Sequence, residues 1–351
     1  MNQRETRSLL LTGATSGLGL GLAQRVVGTP GWHCVLPVRN AKRGEELKAL
    51  LGDRAADGTT HIVVCDQGSQ DSVRRAAADI ARLVTDGVIP PLSTVVLNAA
   101  VLRNDAHELS PDGIELTVAT NLFGPHALLA RISPQLAADA RVMIVGSPTI
   151  RQTLFQRLAR VKTAEWKPLA EQCLPSDDGV QAYARTKLGL FYLSRATGRL
   201  VPEGMSAAYF DPGVMPGTNI LRERGQFSQV YWRRVLPYIA WTFGGVTVGR
   251  GARSMSPYVL HQKSMGDSGF LSVKWGKRAP AVDPERCTST SSRPTTSPVS
   301  VSPTPRRGGR SRTACSAGRS GRAPDGTAQV TGHGSQWLPR LPRDAPARRT
   351  R

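Results

Sequence analysis

The apolar run Ser8-Leu9-Leu10-Leu11-Thr12 leads directly into Gly13-Ala14-Thr15-Ser16-Gly17-Leu18-Gly19, and a stretch with helical periodicity follows from Leu18 to Val27. A strand, a glycine-rich turn and a helix in immediate succession constrain the fold more than any other feature of this chain. Glycine tolerates the backbone of a tight turn. Its missing side chain also lets an anion reach the N–H groups at the helix N-terminus, where the helix dipole favours negative charge. Gly13, Gly17 and Gly19 are therefore candidates for holding the pyrophosphate of a dinucleotide. The run is too short to serve as a signal-peptide core and reads as the first strand.

Further runs of strand length recur at His33–Val38, His61–Cys65, Thr94–Asn98, Arg141–Ser147, Met205–Asp211 and Gly269–Val273. Most are separated by segments that read as helices, among them Ala41–Leu51 and Ser69–Val84. Strand alternating with helix predicts an α/β fold, a Rossmann-like doubly wound parallel sheet of about seven strands with helices on both faces. No internal repeat of solenoid length is present. The longest uncharged, largely apolar stretch, Val235–Val248, falls short of the roughly 20 residues that span a bilayer.

Composition changes sharply near residue 285. From Arg286 to Arg351 the chain is Arg, Ser, Thr, Pro, Gly and Ala with few large apolar residues, and its 13 Arg against 2 Asp hold +11 of the total net charge of +20. Such a segment buries too little to offset its chain entropy, so a folded domain over 1–285 and a basic, disordered tail over 286–351 are expected. The tail has no interleaved aromatics and no RNA-binding motif, and a nucleic-acid partner is not expected. Its composition also matches an out-of-frame reading of a GC-rich gene. Five scattered cysteines (Cys34, Cys65, Cys173, Cys287, Cys315) form no C-x-x-C pair, which fits a reducing, cytoplasmic setting and gives no metal site.

Two residue patterns carry chemistry. The second run ends in Val38-Arg39-Asn40, where Rossmann domains that take NAD present an acid to the ribose 2′-hydroxyl; Arg39 instead suits the 2′-phosphate of NADP. NADP(H) is accordingly expected ahead of NAD(H). Farther on, Tyr183-Ala184-Arg185-Thr186-Lys187 sets a phenol and an ammonium four residues apart on one helix face. A neighbouring ammonium favours the phenolate and is expected to lower the tyrosine pKa toward the range useful for acid–base chemistry.

In this order along residues 7–280, the chain resembles the short-chain dehydrogenase/reductase superfamily: T-G-x-x-x-G-x-G, an N-A-G-like element, an Asn, a Ser, Y-x-x-x-K and P-G. The resemblance implies that Ser16 and Leu18 join Gly13 and Gly17 in the phosphate turn, that Asp66 meets the adenine and that Asn98-Ala99-Ala100 follows the fourth strand. It makes Asn121 the residue that holds a relay water, Ser147 the group that binds the substrate oxygen, Tyr183 the proton donor, and Lys187 the residue that holds the nicotinamide ribose. Pro212, Gly213 and Val214 would contact the nicotinamide carboxamide, with Thr218 beyond them. The sequence departs from the pattern at Ala100, where relatives have glycine, and in the 36 positions between Ser147 and Tyr183, which in most relatives lie far closer together.

The extra residues, about 148–180, include Phe155, Trp166 and several basic side chains, and read as a substrate-side insertion or lid. That spacing, with Asp112-Gly113-Ile114-Glu115-Leu116 and the 211–218 segment, is most similar to the branch containing retinol dehydrogenases and light-dependent protochlorophyllide reductase. The segment 226–248, with Tyr231, Trp232, Trp241 and Phe243, lies where family members vary their substrate loop, and points to an apolar or aromatic small molecule. The resemblance implies hydride transfer between NADP(H) and a carbonyl, an alcohol or an activated C=C. A catalytically silent NADP-binding regulator, and a scaffold whose basic tail tethers it to nucleic acid or an anionic membrane, are alternatives. Peripheral membrane association and a homo-oligomer are left open.

Overall fold

The computed structural model describes residues 6–55, 58–103, 106–150, 164–176, 178–213, 215, 246–266 and 269–272. The chain divides into two units, Met1–Ser292 and Arg293–Arg351, and every described residue lies in the first. Val214, Thr218, the 151–163 part of the insertion, the 226–245 part of the substrate loop and the 286–351 tail lie outside the described residues.

Seven strands form one sheet: β1 (Arg7–Leu11), β2 (Trp32–Val38), β3 (Thr60–Val64), β4 (Leu92–Leu97), β5 (Leu136–Val145), β6 (Ser206–Asp211) and β7 (Phe270–Ser272). Their order is β3-β2-β1-β4-β5-β6-β7 and every pairing is parallel. The chain winds outward from β1 in one direction and from β4 in the other, so a crevice opens between the carboxyl ends of these two strands.

Strand side chains alternate between the faces. Leu9, Leu11, Val96, Val145 and Phe210 pack on one side with Leu18 and Leu22 of α1 (Gly17–Val26) and with Ala252 and Met255 of α8 (Val248–Val259). Leu10, Val95, Ile144 and Tyr209 pack on the other with Val73 and Ile80 of α3 (Gln70–Thr85), Leu128 of α5 (Gly124–Ile132), and Leu190 and Phe191 of α7 (Gly179–Leu200). Burial on both faces explains why the strands read as near-continuous apolar runs.

Helix starts follow capping chemistry. The Asn40 side chain accepts from the Arg43 N–H at the head of α2 (Ala41–Leu51), and that of Asp178 accepts from the Gln181 N–H at the head of α7. Buried Glu115 accepts from the N–H groups of Thr117 and Val118, both at 2.8 Å, at the head of α4 (Leu116–Val118). A π turn over Ala119–Phe123 joins α4 to α5.

The described second half of the insertion, with the short helix α6 (Leu169–Gln172), is strapped down by the Ala106–Ser176 bridge and by the Glu115 N–H donating to the Cys173 carbonyl. Trp166 packs edge-on against Tyr192 of α7, ring centroids 5.4 Å apart.

Candidate active site

At the crevice, the end of β1 is tied to the end of β4 through neutral groups. The Thr12 hydroxyl accepts from the backbone N–H groups of Asn98 at 2.9 Å and Ala99 at 3.0 Å. The Asn98 side-chain amide donates to the Thr12 carbonyl at 3.0 Å. Gly13 follows with φ of +71°, and the turn closes so tightly that a Cβ on Gly19 would lie 2.1 Å from the Gly13 carbonyl oxygen. The N-cap of α1, Ser16, makes no side-chain capping bond, so its own hydroxyl does not cap the first turn, where N–H groups lack partners within the helix. A cradle closed to side chains at the head of a ten-residue helix fits a phosphate group. Arg39 and Asp66, at the ends of β2 and β3, face each other at 3.9 Å, and both are solvent-accessible. The Oδ1 of Asp66 also accepts from the Gly68 N–H.

The second part of the site lies at the carboxyl ends of β5 and β6 and on α7. Gly146 admits no side chain, because a Cβ there would sit 1.8 Å from a ring carbon of Tyr209. Tyr209 fills that space from β6, and its hydroxyl accepts the Ser147 N–H at 3.0 Å. Ser147 is thereby fixed at the strand end. Its Oγ accepts from the Thr149 N–H, and its hydroxyl acts on the Tyr183 phenol, lowering its pKa. Lys187 is buried, donates to the Val145 carbonyl at 3.0 Å, and holds its ammonium 5.6 Å from the centroid of the Tyr183 ring.

Asn121 lies in the π turn and is fully buried. Its amide oxygen accepts from the Val101 N–H and its amide nitrogen donates to the Val101 carbonyl, both at 2.8 Å. The same nitrogen donates to Thr186 at 3.2 Å, and Thr186 donates to the Tyr183 carbonyl. Asn121 is thus linked through Thr186 to the helix turn that carries Tyr183. A π turn is a frequent mark of a functional site, because it redirects backbone groups out of the regular ladder.

The electrostatics depart from the expectation drawn from the Tyr183–Lys187 spacing. Burial pushes the Tyr183 phenol well above its usual range; the Ser147 hydrogen bond pulls it back, and the charge of Asp211 pushes it up again. Burial lowers the Lys187 ammonium to about 8. The protein's own groups therefore favour the neutral phenol and weaken the cation expected to lower it.

The structure brings Ser147, Tyr183 and Lys187 together, with Asn121 linked behind them, and places Gly13, Ser16, Gly17, Leu18, Gly19, Asn98 and Ala99 at the crevice. Pro212 and Gly213 follow β6 directly. Sequence reasoning did not single out Thr12 as the clamp between strands, Tyr209 as the support of Ser147, or buried Asp211 as a charged neighbour of Tyr183. Thr12 and Asp211 stood inside recognised elements, but only strand pairing gives them these roles.

The sequence model described as "short chain dehydrogenase" matches residues 7–157, which contain the glycine turn, Asn98, Asn121 and Ser147. Over these residues the chain is similar to short-chain dehydrogenases, and its all-parallel seven-stranded sheet is in keeping with that likeness.

The chain is 31% identical over 157 residues to short-chain dehydrogenase iccH of Talaromyces variabilis, covering 42% of each chain. It is 39% identical over 153 residues to protochlorophyllide reductase B, chloroplastic, of Oryza sativa subsp. japonica, covering 40% of this chain and 35% of that one. The matched part thus spans less than half the length of these relatives. Among solved structures, NADPH-bound carbonyl reductase from chicken fatty liver shares the fold at a TM-score of 0.54 and 20% identity, over 78% of this chain and 93% of that one.

Proposed function

We propose that this chain is a short-chain dehydrogenase/reductase, an NADP(H)-dependent oxidoreductase acting on a carbonyl, an alcohol or an activated C=C of an apolar small molecule. The convergence of Ser147, the buried Tyr183 and Lys187, whose ammonium lies 5.6 Å from the centroid of the Tyr183 ring, is the observation that carries the reading.

NADPH, when bound, supplies the hydride. The protein's residues do the rest. The glycine turn and the head of α1 take the pyrophosphate, Arg39 takes the 2′-phosphate, and Asp66 meets the adenine. Pro212, Gly213, Val214 and Thr218 serve the nicotinamide end. Ser147 orients the substrate oxygen with its hydroxyl while its own Oγ is held by the Thr149 N–H. Tyr183 gives its Oη proton to that oxygen as negative charge develops there, and regains a proton from solvent. Lys187 holds the nicotinamide ribose, and Asn121 anchors the water through which the proton returns.

Support for NADP(H) comes from Arg39 and from the carbonyl reductase structure named as NADPH-bound. Likeness to protochlorophyllide reductase keeps C=C reduction in the substrate class. A panel of aromatic and apolar aldehydes, ketones and enones, followed by NADPH absorbance, tests the reading. Oxidation of NADPH that depends on one of these substrates and vanishes in Tyr183→Phe is expected. NADPH binding without turnover on any of them argues for a silent regulator.

A further inference from the structure

Tyr209 of β6 is fully buried, yet its polar end leaves the core and reaches the site. Phe191 of α7 meets its ring edge-on with centroids 5.4 Å apart, and Phe270 of β7 stacks on it at 5.6 Å. Room for the ring comes from Gly146, just past β5, where a Cβ would lie 1.8 Å from a ring carbon and 2.1 Å from the hydroxyl oxygen. A phenylalanine would pack against the same neighbours, so packing alone does not call for the hydroxyl. What the hydroxyl touches is the backbone of the two elements that carry the proposed chemistry. It accepts the Ser147 N–H at 3.0 Å, and its own proton has two acceptors in reach, the Ser147 carbonyl at 3.4 Å and the Lys187 carbonyl at 3.5 Å.

We propose that Tyr209 is a positioning residue that ties the backbone of Ser147 to α7 at Lys187, and so sets where Ser147 presents its hydroxyl to the substrate oxygen. The proposal rests on the reading of Ser147 as the group that orients that oxygen. A phenolic hydroxyl accepts and donates at once, so one side chain can join a strand end to a helix. Tyrosine also has only two side-chain torsions, and with its ring held from α7 and from β7 the hydroxyl is a fixed point against which Ser147 is placed.

A second tie joins the same two elements. The Lys187 ammonium donates to the Val145 carbonyl at 3.0 Å, so the Lys187 side chain grips β5 two residues before Ser147, while Tyr209 bridges the Lys187 backbone to Ser147 itself. One tie sets a distance; two set an orientation as well. The proposed reaction needs that orientation, because Ser147 on the strand end and Tyr183 on α7 must reach one substrate oxygen. A misplacement of about 1 Å in such an arrangement can lower the rate by about 10²-fold. Tyr209 itself touches neither substrate nor cofactor in this account and acts only through the groups it holds.

The test removes the hydroxyl and keeps the ring. In Tyr209→Phe the Ser147 amide, left without its acceptor, is expected to exchange its hydrogen about tenfold faster or more, while the Thr12 amide, bonded to the Val96 carbonyl at 3.0 Å across β1 and β4, exchanges as before. NADPH oxidation with the panel of aldehydes, ketones and enones should show kcat lowered about tenfold or more, with the KM for NADPH unchanged. Thr94→Val removes another buried hydroxyl, one that donates to the Val259 carbonyl at 2.8 Å away from the site; it controls for mere loss of stability and should keep its kcat. Tyr209→Met, a flexible apolar filler without a hydroxyl, takes the place of Tyr209→Phe should that variant fold poorly. An unchanged Ser147 exchange rate, or a kcat that falls equally in Thr94→Val, overturns the proposal. Turnover that survives loss of the hydroxyl undiminished sinks the role of Tyr209 alone, whereas no turnover in the unaltered protein sinks the oxidoreductase reading and the positioning role with it.

Discussion

The two ends of the site are built on different physics. At the β1–β4 crevice, position is set by backbone: a glycine turn with no room for a Cβ on Gly19, a neutral hydroxyl on Thr12 and a neutral amide on Asn98. At the β5–β6 end, position is set by buried side chains that ionise, Tyr183, Lys187 and Asp211. The first arrangement can present N–H groups to a highly charged ligand without a charge of its own that must be neutralised. The second holds Tyr183 and Lys187 with pKa values shifted by burial, as sites of proton transfer do. Substitutions at the first end are therefore expected to change stability and cofactor affinity at any pH, and those at the second to change turnover and pH dependence.

The largest effect expected from this contrast is in Tyr183→Phe. Losing the proposed general acid should cut turnover by about 10²–10⁴-fold and leave NADPH affinity nearly intact; steady-state rates and a fluorescence titration on one sample check both halves. A large loss of affinity would erase the division between the two ends. Next is Thr12→Val at the neutral end. It leaves the N–H groups of Asn98 and Ala99 without their acceptor, at about 1–3 kcal/mol each, and denaturant unfolding should show a loss that is the same at neutral and alkaline pH.

Lys187→Met sharpens the pH side. Lys187 has a pKa of about 8 in the folded protein against about 10.4 for an unperturbed lysine. Between those values the unfolded chain binds more protons, so the stability of the unaltered protein rises relative to Lys187→Met as pH increases from about 8 to 10. The gain is about 1–3 kcal/mol, read as the difference between two denaturant midpoints. A difference that does not vary with pH would show that Lys187 is not held in a desolvated position. The smallest effect is expected from exposed Arg39. Arg39→Ala should weaken NADPH binding about tenfold, consistent with losing one charge-assisted hydrogen bond of about 1.5 kcal/mol, and leave NADH affinity unchanged.

Much of the scaffold was legible because a parallel sheet buried on both faces writes itself as apolar runs. All seven expected strands are present, and α1, α2 and α3 lie within a residue of the expected ends. β5 starts at Leu136 and not at Arg141: Leu136 pairs with Leu92, the register then shifts so that Arg141 pairs with Thr94, and the charged Asp139 and Arg141 break the apolar run by which the strand is read. The partners of the site residues were less legible. No local pattern marks Ala119–Phe123 as a π turn. The pairing of Tyr209 with Gly146 depends on β5 lying beside β6, a contact between residues 63 positions apart. The direction of the Tyr183 shift was misread for a related reason. Spacing along a helix reveals the ammonium four residues away, whereas the burial and the Asp211 carboxylate that outweigh it arrive with the tertiary structure.

The central claim is that the crevice between β1 and β4 takes a nicotinamide dinucleotide and prefers the phosphorylated form. Fluorescence-monitored titration of the purified protein with NADPH, then with NADH, tests it most directly. Saturable binding of NADPH, tighter than that of NADH and reduced in Arg39→Ala, is the predicted result; no binding of either dinucleotide would contradict the account.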